Sequence, residues 1–196
     1  MRILLLGEFS GLYKNLKEGL QELGYDVHLA ANGDGWKQIG GADISFDAIS
    51  KKYCSLLHNV DKLEGYDIVQ VINMCIFRRV VNYAAISILK RNNKKLLLSG
   101  AGDDYFVHKA YKDGKYRYYM LDSDPEALRL FDNSFRGKIR CYDEKRILKL
   151  VDGVIPIAYE YAEAYREEEK RLKTIPIPMN VKMCIRDSCQ HIQAGN

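Results

Sequence analysis

Asp103 and Asp104 stand side by side just after the apolar run Leu96-Leu97-Leu98-Ser99. A carboxylate in that place could accept the proton of an attacking hydroxyl, the role of a general base. It could equally cap the segment that follows, because Asp favours such turns. His108 lies a few residues on and is a second candidate for the same proton. Gly7-Glu8-Phe9-Ser10-Gly11 follows another apolar run. Here Gly7, Ser10 and Gly11 could bring backbone amides and a helix N-terminus against a phosphate or a sugar hydroxyl. The spacing falls short of Gly-x-Gly-x-x-Gly, so tight dinucleotide binding is not expected. Asn73 and Glu160, each close to the end of a strand-like run, complete the candidate set.

Other constellations carry a simpler reading. Asp122-Ser123-Asp124 could hold a divalent ion against a diphosphate, but Asp124-Pro125-Glu126 also reads as cap, first-turn proline and acidic first turn of a helix. No metal site is therefore expected. Cys184, Cys189 and His191 lack the four closely spaced ligands of a zinc site. Met183-Cys184-Ile185-Arg186-Asp187-Ser188 is the translation of ATG-TGT-ATA-AGA-GAC-AG plus a pyrimidine, which resembles a transposase mosaic end from sequencing libraries. Residues 182–196 are accordingly expected to be a non-native tail, with the native chain continuing past Val181. Tyr13 with Lys17, and Tyr111 with Lys115, share the Tyr-x-x-x-Lys spacing of short-chain dehydrogenases. The first pair comes too early in the chain and the second spans Gly114, so both are read as chance.

The elements that must position these groups follow from periodicity. Arg2 to Leu6 reads as a strand buried on both faces. Ser10 offers a cap, and Leu12, Leu16, Leu20 and Leu23 mark one helix face ended by Gly24. Tyr25 to Ala30, Tyr66 to Asn73, Leu96 to Ser99 and Gly153 to Ile157 read as further strands, with a short one near Ile44. Helices are expected through Leu56-Leu57, from Phe77 to Leu89, from Pro125 to Phe131, from Glu144 to Leu150 and from Tyr159 to Leu172, the last carrying a Glu167–Arg171 pair. His108 to Tyr119 interleaves basic and aromatic residues; it could rest on an anionic membrane surface or stack on sugars, and reads more simply as an exposed hairpin or lid. Residues 173–178 read as a last, proline-rich strand. This alternation is the pattern of an α/β fold: a doubly wound, mostly parallel, Rossmann-like sheet of about six strands whose ligands sit beyond the strands' carboxyl ends.

Six segments taken in order resemble the N-terminal domain of GT-B glycosyltransferases of the family-4-like group: Met1 to Gly7 with Gly11, Leu23 to Leu29, Tyr66 to Val71, Gly100 to Asp104, Val151 to Pro156, and Ile175 to Pro178. The resemblance covers residues 1–181. It implies the acceptor-side half of an enzyme that moves a sugar from a nucleotide-sugar donor to a hydroxyl acceptor. On that reading Asp103 or Asp104 would be the catalytic base. Gly7, Ser10, Gly11, Asn73, His108 and Glu160 would face the substrate. No cofactor is expected in this domain, because the donor would bind a missing C-terminal domain, and this half alone would be inactive. The implied partners are a carbohydrate or lipid-linked acceptor, the missing donor domain, and a peripheral membrane contact. Two other readings stay open: a non-catalytic Rossmann-like module binding a nucleotide or a partner, and a metal-dependent GT-A enzyme using Asp122 and Asp124.

Composition bounds these readings. The chain has 196 residues, 47% hydrophobic and 29% charged, with 30 Lys and Arg against 26 Asp and Glu, a net charge of +4. That is globular composition for one domain, and the charge is too mild and dispersed for a nucleic-acid footprint. The start of the chain lacks a secretory signal, and no run approaches the roughly 20 apolar residues of a membrane span. Five cysteines without repeated spacing argue against a disulfide framework. A cytoplasmic protein, at most lying against the inner face of a membrane, is expected.

Overall fold

Ile3, Leu4, Leu5 and Leu6 are all buried in the first strand, β1 (Arg2–Leu6), as a strand covered on both faces requires. The structure, a computed structural model, describes residues 1–32, 34, 37–45, 60–77, 79–118 and 124–179. The expected helix through Leu56-Leu57, the residues Asp122 and Ser123, and the tail from 182 to 196 lie outside the described residues.

Helix α1 (Leu12–Glu22) follows β1 and is closed by Gly24, whose N–H donates to the Gln21 carbonyl while Tyr25 N–H donates to that of Leu20. This pair of bonds is a Schellman stop. It returns the chain to β2 (Asp26–Ala31), parallel to β1 with Leu4 opposite His28. β3 (Ile44–Ser45) adds to the outer side of β2. The chain then crosses to the other side of β1 and forms β4 (Ile68–Val71), α2 (Arg79–Asn92), β5 (Lys95–Gly100), α3 (Tyr105–Lys112), α4 (Pro125–Asn133), α5 (Phe135–Leu150), β6 (Gly153–Pro156) and α6 (Tyr159–Ala164). The sheet runs β3-β2-β1-β4-β5-β6 and every pair is parallel. The direction of progression reverses between β1 and β4, which makes a crevice beyond their carboxyl ends the natural seat for a ligand.

Alternation along β1 divides the core into two layers. Leu4 and Leu6 join Val69, Leu96, Leu98 and Ile147 on one face. Ile3 and Leu5 join Leu12, Tyr13, Val27 and Leu29 under α1 on the other. The doubly wound α/β reading therefore holds.

Local expectations shift in several places, among them α5, which starts at Phe135 and not at Glu144, and 173–178, which forms no strand. Ser10 does not cap α1; the capping position is Gly11, without a side-chain bond. The buried stripe of α2 is turned so that Asn82, Ala85, Ile86 and Leu89 face inward while Ala84 is exposed. Asn82 earns its place by accepting from Phe77 N and donating to the Met74 carbonyl. The expected hairpin or lid begins as helix α3, because Phe106, Val107 and Ala110 bury one side of it. The charged helix expected to reach Leu172 stops at Ala164. Beyond it Val154 N donates to the Lys170 carbonyl and Leu172 N to that of Val154, so the segment covers the outer edge of β6, an edge that would otherwise be open to unwanted pairing. Glu167 consequently meets Lys115 at 3.2 Å.

Candidate functional site

Glu8 decides what the loop after β1 can do. Its side chain is 4% exposed and turns over the start of α1, where Oε2 accepts from Lys14 N at 2.8 Å and Oε1 from Tyr13 N at 3.3 Å. A phosphate drawn to this helix N-terminus would need those same amides. Neighbouring groups are also engaged: Gly7 N donates to the Ala30 carbonyl at 2.9 Å and Leu12 N to that of Phe9 at 2.9 Å. Ser10 N donates to Asp34 Oδ2 at 2.9 Å, and Lys37 Nζ reaches both Ser10 Oγ (2.7 Å) and Asp34 (2.9 Å). Against partial burial, Lys37 and the Ser10 amide hold the Asp34 carboxyl below its ordinary range.

Gly7 serves packing. Its φ is +96°, and a β-carbon there would stand 2.3 Å from Ile72 Cγ2 and 2.6 Å from Ile76 Cδ1. No other residue allows β1 to leave the sheet this close to the end of β4. Gly11, at φ +85°, has open space beside it and turns the chain into α1. Ser10, also at positive φ, is exposed and fastened to the loop after β2.

Across the crevice, Asn73 accepts from Cys75 N at 3.1 Å through Oδ1. Its amide nitrogen faces Gly102: a β-carbon on Gly102 would lie 4.0 Å from Asn73 Nδ2 and 3.8 Å from Phe9 Cε2. The loops after β1, β4 and β5 thus meet at Phe9, Asn73 and Gly102, all three partly exposed.

The aspartate pair after β5 splits into two jobs. Asp104 is buried and caps α3, its Oδ1 accepting from Phe106 N (2.8 Å) and Val107 N (3.0 Å) and its Oδ2 from the Tyr165 hydroxyl (2.6 Å). Burial pushes its carboxyl upward, opposed by Tyr165 and the two amides. With both oxygens engaged and 4% exposure, Asp104 acts as the cap weighed from the sequence and not as a base open to substrate. Asp103 is partly exposed, and Arg140 approaches both its carbonyl and, at 3.6 Å, its carboxylate. Arg140 also donates to Glu144 Oε1 at 2.7 Å, while Glu144 Oε2 accepts from Tyr105 N at 2.7 Å. Glu144 is 2% exposed, and burial pushes its carboxyl up to about 7 with Arg140 opposing. Two buried carboxylates therefore cover the start of α3, Glu144 paired with the Arg140 guanidinium and Asp104 held by the Tyr165 hydroxyl and two amides.

His108 stands apart from this rim. It is 3% exposed, packs its ring 4.2 Å from that of Phe131 and places Nε2 2.8 Å from Asp132 Oδ1. The fold uses it to join α3 to α4, so its place facing a substrate is corrected. Glu160 is exposed on α6, where its carbonyl accepts from the Tyr116 hydroxyl. The two Tyr-x-x-x-Lys pairs form no site: the Tyr13 phenol is buried on Ser99 Oγ at 2.8 Å, and Lys115 meets Glu167. Among the described residues no group of three or more His, Cys, Asp or Glu could hold a metal, and no helix is long and apolar enough to cross a membrane.

Glu8, Phe9, Gly102, Arg140, Glu144 and Tyr165 were not singled out from the sequence. Only Glu8 carried a local signal, an acid directly before a helix start. Arg140 and Glu144 look like an ordinary pair four apart on a helix.

No family model and no curated protein matches the chain. Solved structures do, among them the 3-alpha-hydroxysteroid dehydrogenase from Pseudomonas sp. B-0831 complexed with NADH. That match is 15% identical with a TM-score of 0.43 and covers 81% of this chain and 71% of the other. Two expectations are corrected against it. The expected glycosyltransferase has no counterpart in that neighbour, which is itself described as a dehydrogenase, and the expected domain without a cofactor stands against a neighbour that holds NADH. The likeness is one of fold, so the chemistry of this chain is argued from its own residues.

Proposed function

We propose that this chain is a Rossmann-like module that binds a nucleotide by its nucleoside half, in the crevice between the ends of β1, β4 and β5. The observation that carries this reading is Glu8. In a parallel sheet with its switch point between β1 and β4, the crevice is where a ligand belongs, yet the amides that would take its phosphate already hold a carboxylate. What remains on the rim is an aromatic edge, an amide donor and a hydroxyl: Phe9, Asn73 and Ser10. Those groups suit a base and a sugar, which offer a flat face and neutral hydrogen-bonding edges.

Calorimetric titration separates the possibilities. Adenosine and uridine are expected to bind within about three-fold of ADP and UDP. Glu8→Ala should raise affinity for the diphosphates about ten-fold and leave the nucleosides unchanged. Diphosphates binding the unaltered chain far more tightly than nucleosides, or no binding by any of the four, would overturn the proposal.

A further inference from the structure

Helix α5 has two apolar faces, and the fold covers one. The inner face buries Gly137, Glu144, Ile147 and Leu148. On the outer face Phe135, Ile139 and Tyr142 are 79%, 39% and 63% exposed. Their spacings of four and three place them in one stripe along the helix. By the same geometry Lys138, Lys145 and Lys149, all exposed, border the stripe on one side, and Arg146 extends it at the far end. Of the two carboxylates of this helix, Glu144 is buried on Arg140, and Asp143, partly exposed, meets Arg146 at 3.9 Å. Beside the stripe runs a groove of about 440 Å³ between α3, α4 and α5, walled by Tyr105, Phe131 and Tyr142 and edged by Lys138 and by the Lys112–Asp132 and Lys109–Asp113 pairs. An exposed apolar stripe of this kind marks a surface made for contact.

We propose that this face binds a partner protein through an amphipathic helix whose apolar stripe is bordered by Asp or Glu. Anchors at i, i+4 and i+7 match the spacing by which one helix reads another. The row of three exposed lysines, against one partly exposed carboxylate, Asp143, supplies the complementary charge. An anionic bilayer fits less well. Lys145 and Lys149 share a second groove of about 590 Å³ with Glu167, Glu168 and Glu169, and a flat anionic surface would press against those glutamates, whereas a single helix, about 10 Å wide, lies along α5 without meeting them. The chain's own segments outside the described residues supply little negative charge: 46–59 carries Lys51 and Lys52 against Asp47, the five residues 119–123 carry Asp122 alone, and 180–196 carries Lys182 and Arg186 against Asp187.

The test uses the full chain and a fluorescein-labelled peptide of Leu and Glu about 18 residues long, arranged with helical spacing, beside its scrambled counterpart. Fluorescence anisotropy should show the ordered peptide binding at least about ten-fold more tightly than the scrambled one. Lys138→Glu with Lys145→Glu should weaken it about ten-fold, and so should Phe135→Ser with Tyr142→Ser. All four side chains are exposed, so circular dichroism should stay unchanged in both variants. Equal binding of the scrambled peptide, indifference to both double variants, or preference for phosphatidylserine vesicles or oligouridine over the peptide would overturn the proposal.

Discussion

Two helices start at the rim of this sheet, α1 after β1 and α3 after β5, and both begin under carboxylates of the chain itself. At α1 a single glutamate, Glu8, spans two amides from a position before the helix. At α3 two carboxylates share three amides, Asp104 from the adjacent loop and Glu144 from α5, with Arg140 and Tyr165 closing the network. The first cap is local and belongs to one loop. The second joins three elements distant in sequence, and its removal should be felt through the whole β5 side of the fold. The comparison teaches that a helix N-terminus at the right place in a Rossmann-like sheet is not by itself a phosphate site; what occupies its amides decides.

The largest expected effect is at α3. Arg140→Met leaves the buried Glu144, and Asp103 beside it, without their cation and should cost about 3 kcal/mol at pH 8, read as a shift of the urea midpoint. A loss below half of that would show the network to be less coupled than its geometry. A second effect depends on pH. Glu144 is pushed up to about 7 in the fold, against roughly 4.3 in an unfolded chain. The folded chain therefore holds the additional proton between these values. The stabilisation from this group is complete below about pH 4 and is lost as pH rises through 7. Relative to Glu144→Gln, the unaltered protein should lose about 2 kcal/mol between pH 5.5 and pH 8. Parallel stability curves for the two proteins would place the titration elsewhere. The smallest effect belongs to α1, where Glu8→Ala should cost only about 1 kcal/mol, the usual worth of a helix cap. An equal loss at both helices would erase the distinction drawn between them.

Periodicity carried the six strands and most helix starts, because apolar alternation and Gly stops act over a few residues. It misjudged the lengths of α5 and α6. Phe135 to Tyr142 has apolar residues on two faces and so shows no single stripe, while 165–172 has a helical composition that the open edge of β6 overrides. The candidate site was legible in its loops and not in its roles. Asp103 and Asp104 are adjacent in sequence, yet one meets Arg140 and the other is sealed against Tyr165, contacts that span 37 and 61 residues.

The chain's letters alone determine the parallel α/β sheet and the crevice between β1 and β4, since burial patterns and short connections leave few ways to wind such a chain. Tertiary structure alone decides which polar groups face that crevice. A carboxylate's partners are set by which distant amide, guanidinium or hydroxyl arrives within hydrogen-bonding range, and no local pattern encodes that arrival.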